Sequence, residues 1–258
     1  MITTPDSPDD TRPSDFVDNP RLPGCPLVRK SLVIATLIAT GLLAAWLVVG
    51  LLTPGGLAAI DHRILAMLHN VYDPNDPIGP DWFDGVMRDL TALGSNVIII
   101  LITIAAASIL AMTRRTGPAV LLVSAIISSF VINAVMKAII DRPRPDFIAP
   151  SVDVASASFP SSHAMLSAVL YLLLAGIASR EIADRRPAIV LMTSAAILVF
   201  VIGVTRVYLG AHWPSDVLAG WLLGTAAALA SWQLARSPSP PEPDLDRADL
   251  RQEDDLPA

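Results

Sequence analysis

Six apolar runs mark the chain, at 31–52, 96–112, 118–135, 164–179, 188–204 and 217–234. Each approaches the ~20 residues a helix needs to cross a bilayer. None alternates apolar with polar positions, as a transmembrane barrel strand must. Hydrocarbon offers no water to backbone groups, so each segment has to satisfy its own, and a helix does so. Ala, Gly, Ser and Thr are scattered through the runs and permit close helix packing. The second, fourth and fifth runs are short, and their helices are expected to extend about a turn into the polar flanks. The pattern predicts an all-α, polytopic membrane protein with six transmembrane helices.

Between the first two runs lies a long loop, 53–94, with a pattern of its own. Ile60, Ile64, Leu65, Met67 and Leu68 fall at helical spacing, and so do Trp82, Phe83, Val86, Met87 and Leu90. Two short interfacial helices fit, with Trp82 and Phe83 at headgroup level. Residues 1–28 are rich in Pro, Asp, Ser and Thr, and residues 237–258 are proline-rich and acidic. Neither stretch can bury a core, so both read as disordered tails around a transmembrane domain at 29–236.

The short loops give an orientation. Arg29, Lys30, Arg114, Arg115, Arg180, Arg185, Arg186 and Arg236 all fall on one side of the predicted bundle. The positive-inside rule makes that side cytoplasmic. Both tails then face the cytoplasm, and loop 53–94 faces outward.

Composition narrows the class further. The chain is 53% hydrophobic and only 16% charged, too apolar for an ordinary soluble domain of 258 residues. The formal net charge of −6 resides mainly in the tails and the long loop. No basic stripe suggests nucleic acid. Cys25 is the single cysteine, which excludes a disulfide framework and a cysteine-based metal site. Leu22-Pro23-Gly24-Cys25 resembles a lipoprotein cleavage box, but no apolar stretch precedes it and processing there is not expected.

Three polar clusters, all on the predicted outer side, carry the chemistry. In Lys137 to Pro145, Arg144 follows Lys137 by seven residues, and Pro143 and Pro145 stiffen the path between. A point charge and a planar fork can approach one phosphate from two sides. On its own the pair also fits snorkelling anchors. In Pro160 to His163, Ser161 is a natural N-cap, and the following amides suit an anion. His163 then sits in the first turn and can donate a proton to a departing oxygen. In Thr205 to Asp216, Arg206, His212 and Asp216 stand together. A helix starting near Pro214 lets Asp216 hold one imidazole nitrogen of His212 and leave the other free to attack. Taken together, the clusters hold a nucleophile, its orienter, an acid and several cations.

Lys137-x6-Arg144-Pro145, Pro160-Ser161-Ser162-His163 and Arg206-x5-His212-x3-Asp216 resemble the three motifs of the type 2 phosphatidic acid phosphatase (PAP2) superfamily. The likeness covers about 96–234, in order and in spacing. Ser162 stands where the family has glycine, and Thr205 where it has serine. The resemblance implies a PAP2-like bundle in which His212 is the nucleophile, Asp216 orients it, and His163 protonates the leaving group and later activates water. It assigns Lys137, Arg144, Ser161, Ser162 and Arg206 to the phosphoryl oxygens. It also implies no metal and no cofactor, the fixed cations taking the part that Mg²⁺ plays elsewhere. Arg142 has no set role in the motif and reads as an outer support or a diphosphate contact.

The expectation is a metal-independent membrane phosphatase for a lipid phosphate or diphosphate, with a phosphohistidine intermediate. Undecaprenyl or another polyprenyl diphosphate is the first choice, then phosphatidylglycerol phosphate or phosphatidic acid. Partners are the bilayer and its lipids, without nucleic acid, and no oligomeric state can be read. A phosphotransferase using the same histidine is one alternative. A non-catalytic lipid-binding or transport protein is another, disfavoured because His163, His212 and Asp216 are all present. The superfamily's soluble haloperoxidases are disfavoured by the six apolar runs.

Overall fold

The computed structural model describes residues 55–70, 73, 76–145 and 156–234, with positions 38, 41 and 50 in addition. The predicted first span and both predicted tails therefore lie outside the described residues, apart from those three positions. Seven helices have bounds among the described residues: α1 Gly56–Leu68, α2 Asp81–Ala92, α3 Asn96–Met112, α4 Thr116–Ile140, α5 Ser162–Ser179, α6 Arg185–Tyr208 and α7 Pro214–Leu234.

Among the described residues, α4, α5 and α6 are each long and apolar enough to cross a membrane. The predicted run 96–112 forms α3, but it meets that condition only jointly with α2, across a 44° bend. Helices α1 and α2 coincide with the two helical patterns of the long loop. Of the three short runs expected to extend into their flanks, 188–204 does so by about a turn at each end in α6, 164–179 gains only two residues in α5, and 96–112 gains none in α3, whereas α4 outgrows its run 118–135.

Local signals set the boundaries. The Ser95 side chain accepts from the Ile98 amide and starts α3, and Asp184 does the same for Arg186 and α6. Pro214 opens α7, where its missing N–H costs nothing. Gly210 takes a left-handed φ of 65° just beyond α6 and turns the chain toward α7. These reversals bring the end of α4, the start of α5, the end of α6 and the start of α7 to one end of the bundle.

The centre is α5, whose residues from Ala164 to Leu170 are all buried. Its Leu166, Val169, Leu170 and Leu173 pack with Ile99 of α3 and Leu122, Ala125 and Ile126 of α4. On the other side α7 lies against it closely, at Gly220 and Gly224. A Cβ on Gly220 would come 2.8 Å from the Ser161 carbonyl oxygen, and one on Gly224 would strike the Met165 carbonyl. Small residues four apart thus set the α5–α7 distance. The outer surfaces of α3, α4 and α6 instead expose Leu101, Ile104, Ile127, Val131, Val190 and Phe200. Such a continuous apolar exterior is a liability in water and suits lipid.

Candidate active site

Helix α6 ends in a knot that presents the third cluster. The Arg206 carbonyl accepts from the amides of both Ala211 and His212, at 3.1 and 3.2 Å. This folds the chain back so that His212 enters the bundle just before α7. The His212 side chain is buried, and its Nδ1 lies 3.6 Å from Oδ2 of the fully buried Asp216. Asp216 Oδ2 also accepts from the Trp213 amide at 3.2 Å and from the Ser158 hydroxyl. On the far edge of the ring, His212 Nε2 lies 3.3 Å from Nη1 of Arg144. A guanidinium can only donate, so Nε2 is the unprotonated nitrogen and Nδ1 carries the proton toward Asp216. Burial pushes the imidazole down to about 4, against the Asp216 hydrogen bond, with Arg206 and Arg144 adding to the fall. A neutral ring with a free Nε2 lone pair is the form in which histidine acts as a nucleophile.

The cations converge from three elements. Arg206 is buried near the end of α6, and its Nη1 donates to the Thr91 hydroxyl of α2 at 3.1 Å. Its Nε is buried without a protein partner, and the same holds for the Ser161 hydroxyl. Buried polar atoms in this condition are rare, and both of these can donate to an oxyanion. Arg144 donates to the carbonyls of Ala211, at 2.7 Å, and Ser156, at 2.9 Å. Lys137, in the last turn of α4, donates to the Ala157 carbonyl at 2.5 Å. His163 opens α5 within electrostatic reach of Arg206, His212, Arg144 and Lys137.

The second cluster is fixed to its neighbours. The Ser161 amide donates to the Asp216 carbonyl at 3.1 Å, which ties the start of α5 to the start of α7. Ser161 occupies the N-cap position, but its hydroxyl caps nothing and is left for another partner. The Ser162 hydroxyl donates to Asn133 Oδ1 of α4 at 2.7 Å. Its hydroxyl is thereby engaged with α4, while the first-turn amides of α5 have no partner within the helix.

All eight residues singled out in the sequence therefore gather at one end of the bundle. Four further residues of this site escaped sequence reasoning: Asp61, Ser158, Ser215 and Asn133. Arg142, left open there, bridges Asp216 Oδ1 at 2.6 Å and Asp61 Oδ2 at 2.7 Å. A carboxylate amid the apolar helical spacing of α1 was the one available signal for Asp61.

A helical bundle with long apolar spans and a buried His–Asp couple ringed by cations defines a membrane protein built to handle an oxyanion. Residues 118–238 match the PAP2 superfamily. The chain is 33% identical over 145 residues to phosphatidylglycerophosphatase B of Bacillus subtilis, covering 55% of this chain and 70% of that protein. It is 30% identical over 156 residues to undecaprenyl-diphosphatase of Sulfolobus acidocaldarius, covering 58% of this chain and 70% of that one. Its fold resembles the crystal structure of a transmembrane PAP2-type phosphatidylglycerolphosphate phosphatase from Bacillus subtilis, with a TM-score of 0.67 and 25% identity. That match covers 83% of this chain and 98% of the other. The chain belongs to the PAP2 superfamily.

Proposed function

We propose that this protein is a lipid phosphatase that hydrolyses a lipid phosphate or diphosphate through a phosphohistidine. The observation that carries this reading is the pair of buried, unpartnered polar atoms, Arg206 Nε and Ser161 Oγ, at the cluster that holds the His212–Asp216 couple. Both donate to an oxyanion, and a phosphoryl group satisfies them together with Arg144, Lys137 and the α5 amides.

His212 Nε2 attacks phosphorus while the bond to the leaving oxygen breaks, and His163 donates the proton that this oxygen takes up. Asp216 stabilises the cationic ring so formed. Water then loses a proton to His163 and attacks the phosphohistidine; the P–N bond breaks, releasing phosphate and restoring both histidines. The cations stabilise the charge that builds on the phosphoryl oxygens. In this reading the fixed cations take the part of a metal ion, and the chelator arm of the test below examines that.

A polyprenyl diphosphate such as undecaprenyl diphosphate is the preferred substrate, with phosphatidylglycerol phosphate and phosphatidic acid as the others to test. The names of the two relatives support these classes. Six spans with cytoplasmic termini, α1 and α2 at the outer surface, and a site open to the outer leaflet complete the reading, supported by the basic short loops. The test is phosphate release by purified protein from a panel of lipid phosphates, with and without chelator, for the wild type and His212→Ala. Release by the wild type that survives chelator and disappears in the variant is expected. Equal release by both would end this reading. Labelled diphosphate donor and product analysis separate hydrolysis from transfer to a second lipid.

A further inference from the structure

Arg142 and Asp61 lie outside the roles assigned above, yet with Ser215 and Asp216 they form a closed ring of hydrogen bonds. The Asp216 carboxylate has two jobs for its two oxygens. Oδ2 faces the His212 ring, and Oδ1 accepts from Arg142 Nη1 at 2.6 Å. Arg142 Nη1 also donates to the Ser215 hydroxyl at 2.7 Å, and Nη2 donates to Asp61 Oδ2 at 2.7 Å. The ring closes through Ser215, whose hydroxyl donates to Asp61 Oδ2 at 2.5 Å and whose amide donates to Asp61 Oδ1 at 3.0 Å. The guanidinium lies over the Trp213 ring, 5.4 Å from its centre. Trp213 is held in turn by Pro143, whose carbonyl accepts from its indole nitrogen at 2.9 Å, and by the edge of His62.

We infer that Arg142 and Asp61 are positioning residues for the nucleophile: they clamp the Asp216 carboxylate so that Oδ2 stays on His212 Nδ1. This inference rests on His212 being the nucleophile. A carboxylate held at only one oxygen rotates about its last bond, and then the imidazole tautomer is no longer fixed. Arg142 fixes the second oxygen with a geometry that lysine cannot reproduce. Arg142 itself ends a flexible stem, and Asp61 holds its other prong. Burying two carboxylates around one guanidinium is a costly way to pin α1 to α7, since apolar packing does that without desolvating charge. The arrangement makes sense where charge is used. Asp61 is thereby a contribution of the long loop to the catalytic end, from a position 81 before Arg142 in sequence.

The charges around His212 give the clamp a signature. Asp216 of α7, Arg206 of α6, His163 of α5 and Arg144 of the α4–α5 connection act on the ring directly, with Lys137 of α4 behind them. Asp61 acts through Arg142. Removing the Asp61 charge leaves Arg142 uncompensated, makes the imidazolium harder to form, and moves the acid limb of the pH–rate profile downward. Removing the Arg142 charge leaves two carboxylates facing each other and moves the limb upward.

The experiment compares wild type, Asp61→Asn, Arg142→Gln, the double variant and His212→Ala in detergent, with farnesyl diphosphate and phosphatidic acid as probes. The expected loss in kcat is roughly 10- to 100-fold for each single variant, the range typical of supports behind a ligating or catalytic group. KM should change little, and the acid limbs should shift in opposite directions. The double variant should lose less than the product of the two single losses, because the charges it removes were coupled. Asp61→Glu, which keeps the charge, serves where Asp61→Asn yields little folded protein, and its acid limb should stay near that of the wild type. Losses that merely track the folded fraction, with no displacement of the limb, overturn the inference while leaving His212 in place. Full activity in His212→Ala overturns the underlying reading instead.

Discussion

At the end of the bundle where α5 and α7 begin, Arg142, Arg144 and Arg206 are drawn in among carboxylates, carbonyls and imidazoles. At the opposite end, Arg115 pairs with Glu181 in solvent, and Arg180 lies on the Trp232 ring, 4.1 Å from its centre. The carboxylates that hold Arg142 are 2% and 0% exposed, whereas Glu181 is 51% exposed. The residue types are alike, and burial separates them. A charge that remains in water costs little to keep and yields little when paired. A charge withdrawn from water must be matched atom by atom, and Arg206 Nε is a buried atom that no protein group matches. On this comparison the proposed reading gives the arginines of the far end to topology and those of the site end to chemistry.

Breaking the site end should produce the largest effect. His212→Ala removes the attacking nitrogen and should lower kcat by about 10³-fold or more, as losses of nucleophiles do. Arg206→Lys keeps the charge but removes the unpartnered Nε–H and the fork. Single-turnover measurements should give a loss of about 10²-fold, typical of one oxyanion donor. An Arg206→Lys enzyme with wild-type turnover would show that the buried Nε has no part in the reaction.

A second perturbation reaches the same end through packing alone. Gly220 lies on α7, a turn beyond Asp216, and faces the Ser161 carbonyl, the Ala164 side chain and the Met165 amide. A methyl group there would sit 2.8 Å from the Ser161 oxygen and 2.9 Å from the Ala164 Cβ, so α5 has to shift. Overpacking of this kind costs about 1–3 kcal/mol. Because the Ser161 amide is bonded to the Asp216 carbonyl, the shift is transmitted to both clusters. Gly220→Ala should therefore lower thermal stability and reduce kcat about tenfold, read from an unfolding scan and steady-state kinetics in parallel. A similar methyl at Gly85 meets nothing within 4 Å, so Gly85→Ala is the matched control.

Much of this was legible in the sequence, for a definable reason. The helices follow apolar periodicity and local caps, and the His212–Asp216 couple follows from a four-residue step across a helix start. Both are local facts. What was not legible depends on tertiary approach. Asp61 meets Ser215 across 154 positions, and Ser162 meets Asn133 across 29. No spacing rule links residues so far apart. Motif resemblance assigns Ser162 to a phosphoryl oxygen, and it carries no sign that the hydroxyl also donates to Asn133 Oδ1 of α4. The bend at α2–α3 was likewise hidden, because the apolar run 96–112 looks complete without the amphipathic helix before it.

Titration sharpens the comparison with a smaller effect. The His212 imidazole, lowered by burial to about 4 from the usual 6.5, binds fewer protons folded than unfolded between those values. Stability therefore rises with pH across that window, and it is lost as pH falls through it toward 4. Activity should hold from neutrality down to about pH 5 and fall as the ring protonates near 4, because a protonated Nε2 has no lone pair to attack with. An acid limb at 6 to 7 would mean that the ring is solvated and the clamp open. The Arg115–Glu181 pair offers no such limb: each raises or lowers the other's proton affinity away from the physiological range, in full solvent.

The smallest expected effect belongs to the far end, and it is informative for that reason. Arg115→Ala and Glu181→Ala each break the exposed pair that joins the α3–α4 turn to the end of α5. Both partners are free to rehydrate, so nothing is left buried without a partner. The double variant should match the wild type in turnover, in its acid limb and in its thermal midpoint within experimental error, and high salt should not separate them further. A clear loss of turnover in either single variant would mean that the two ends communicate through α5. The division between topological and chemical arginines would then no longer hold.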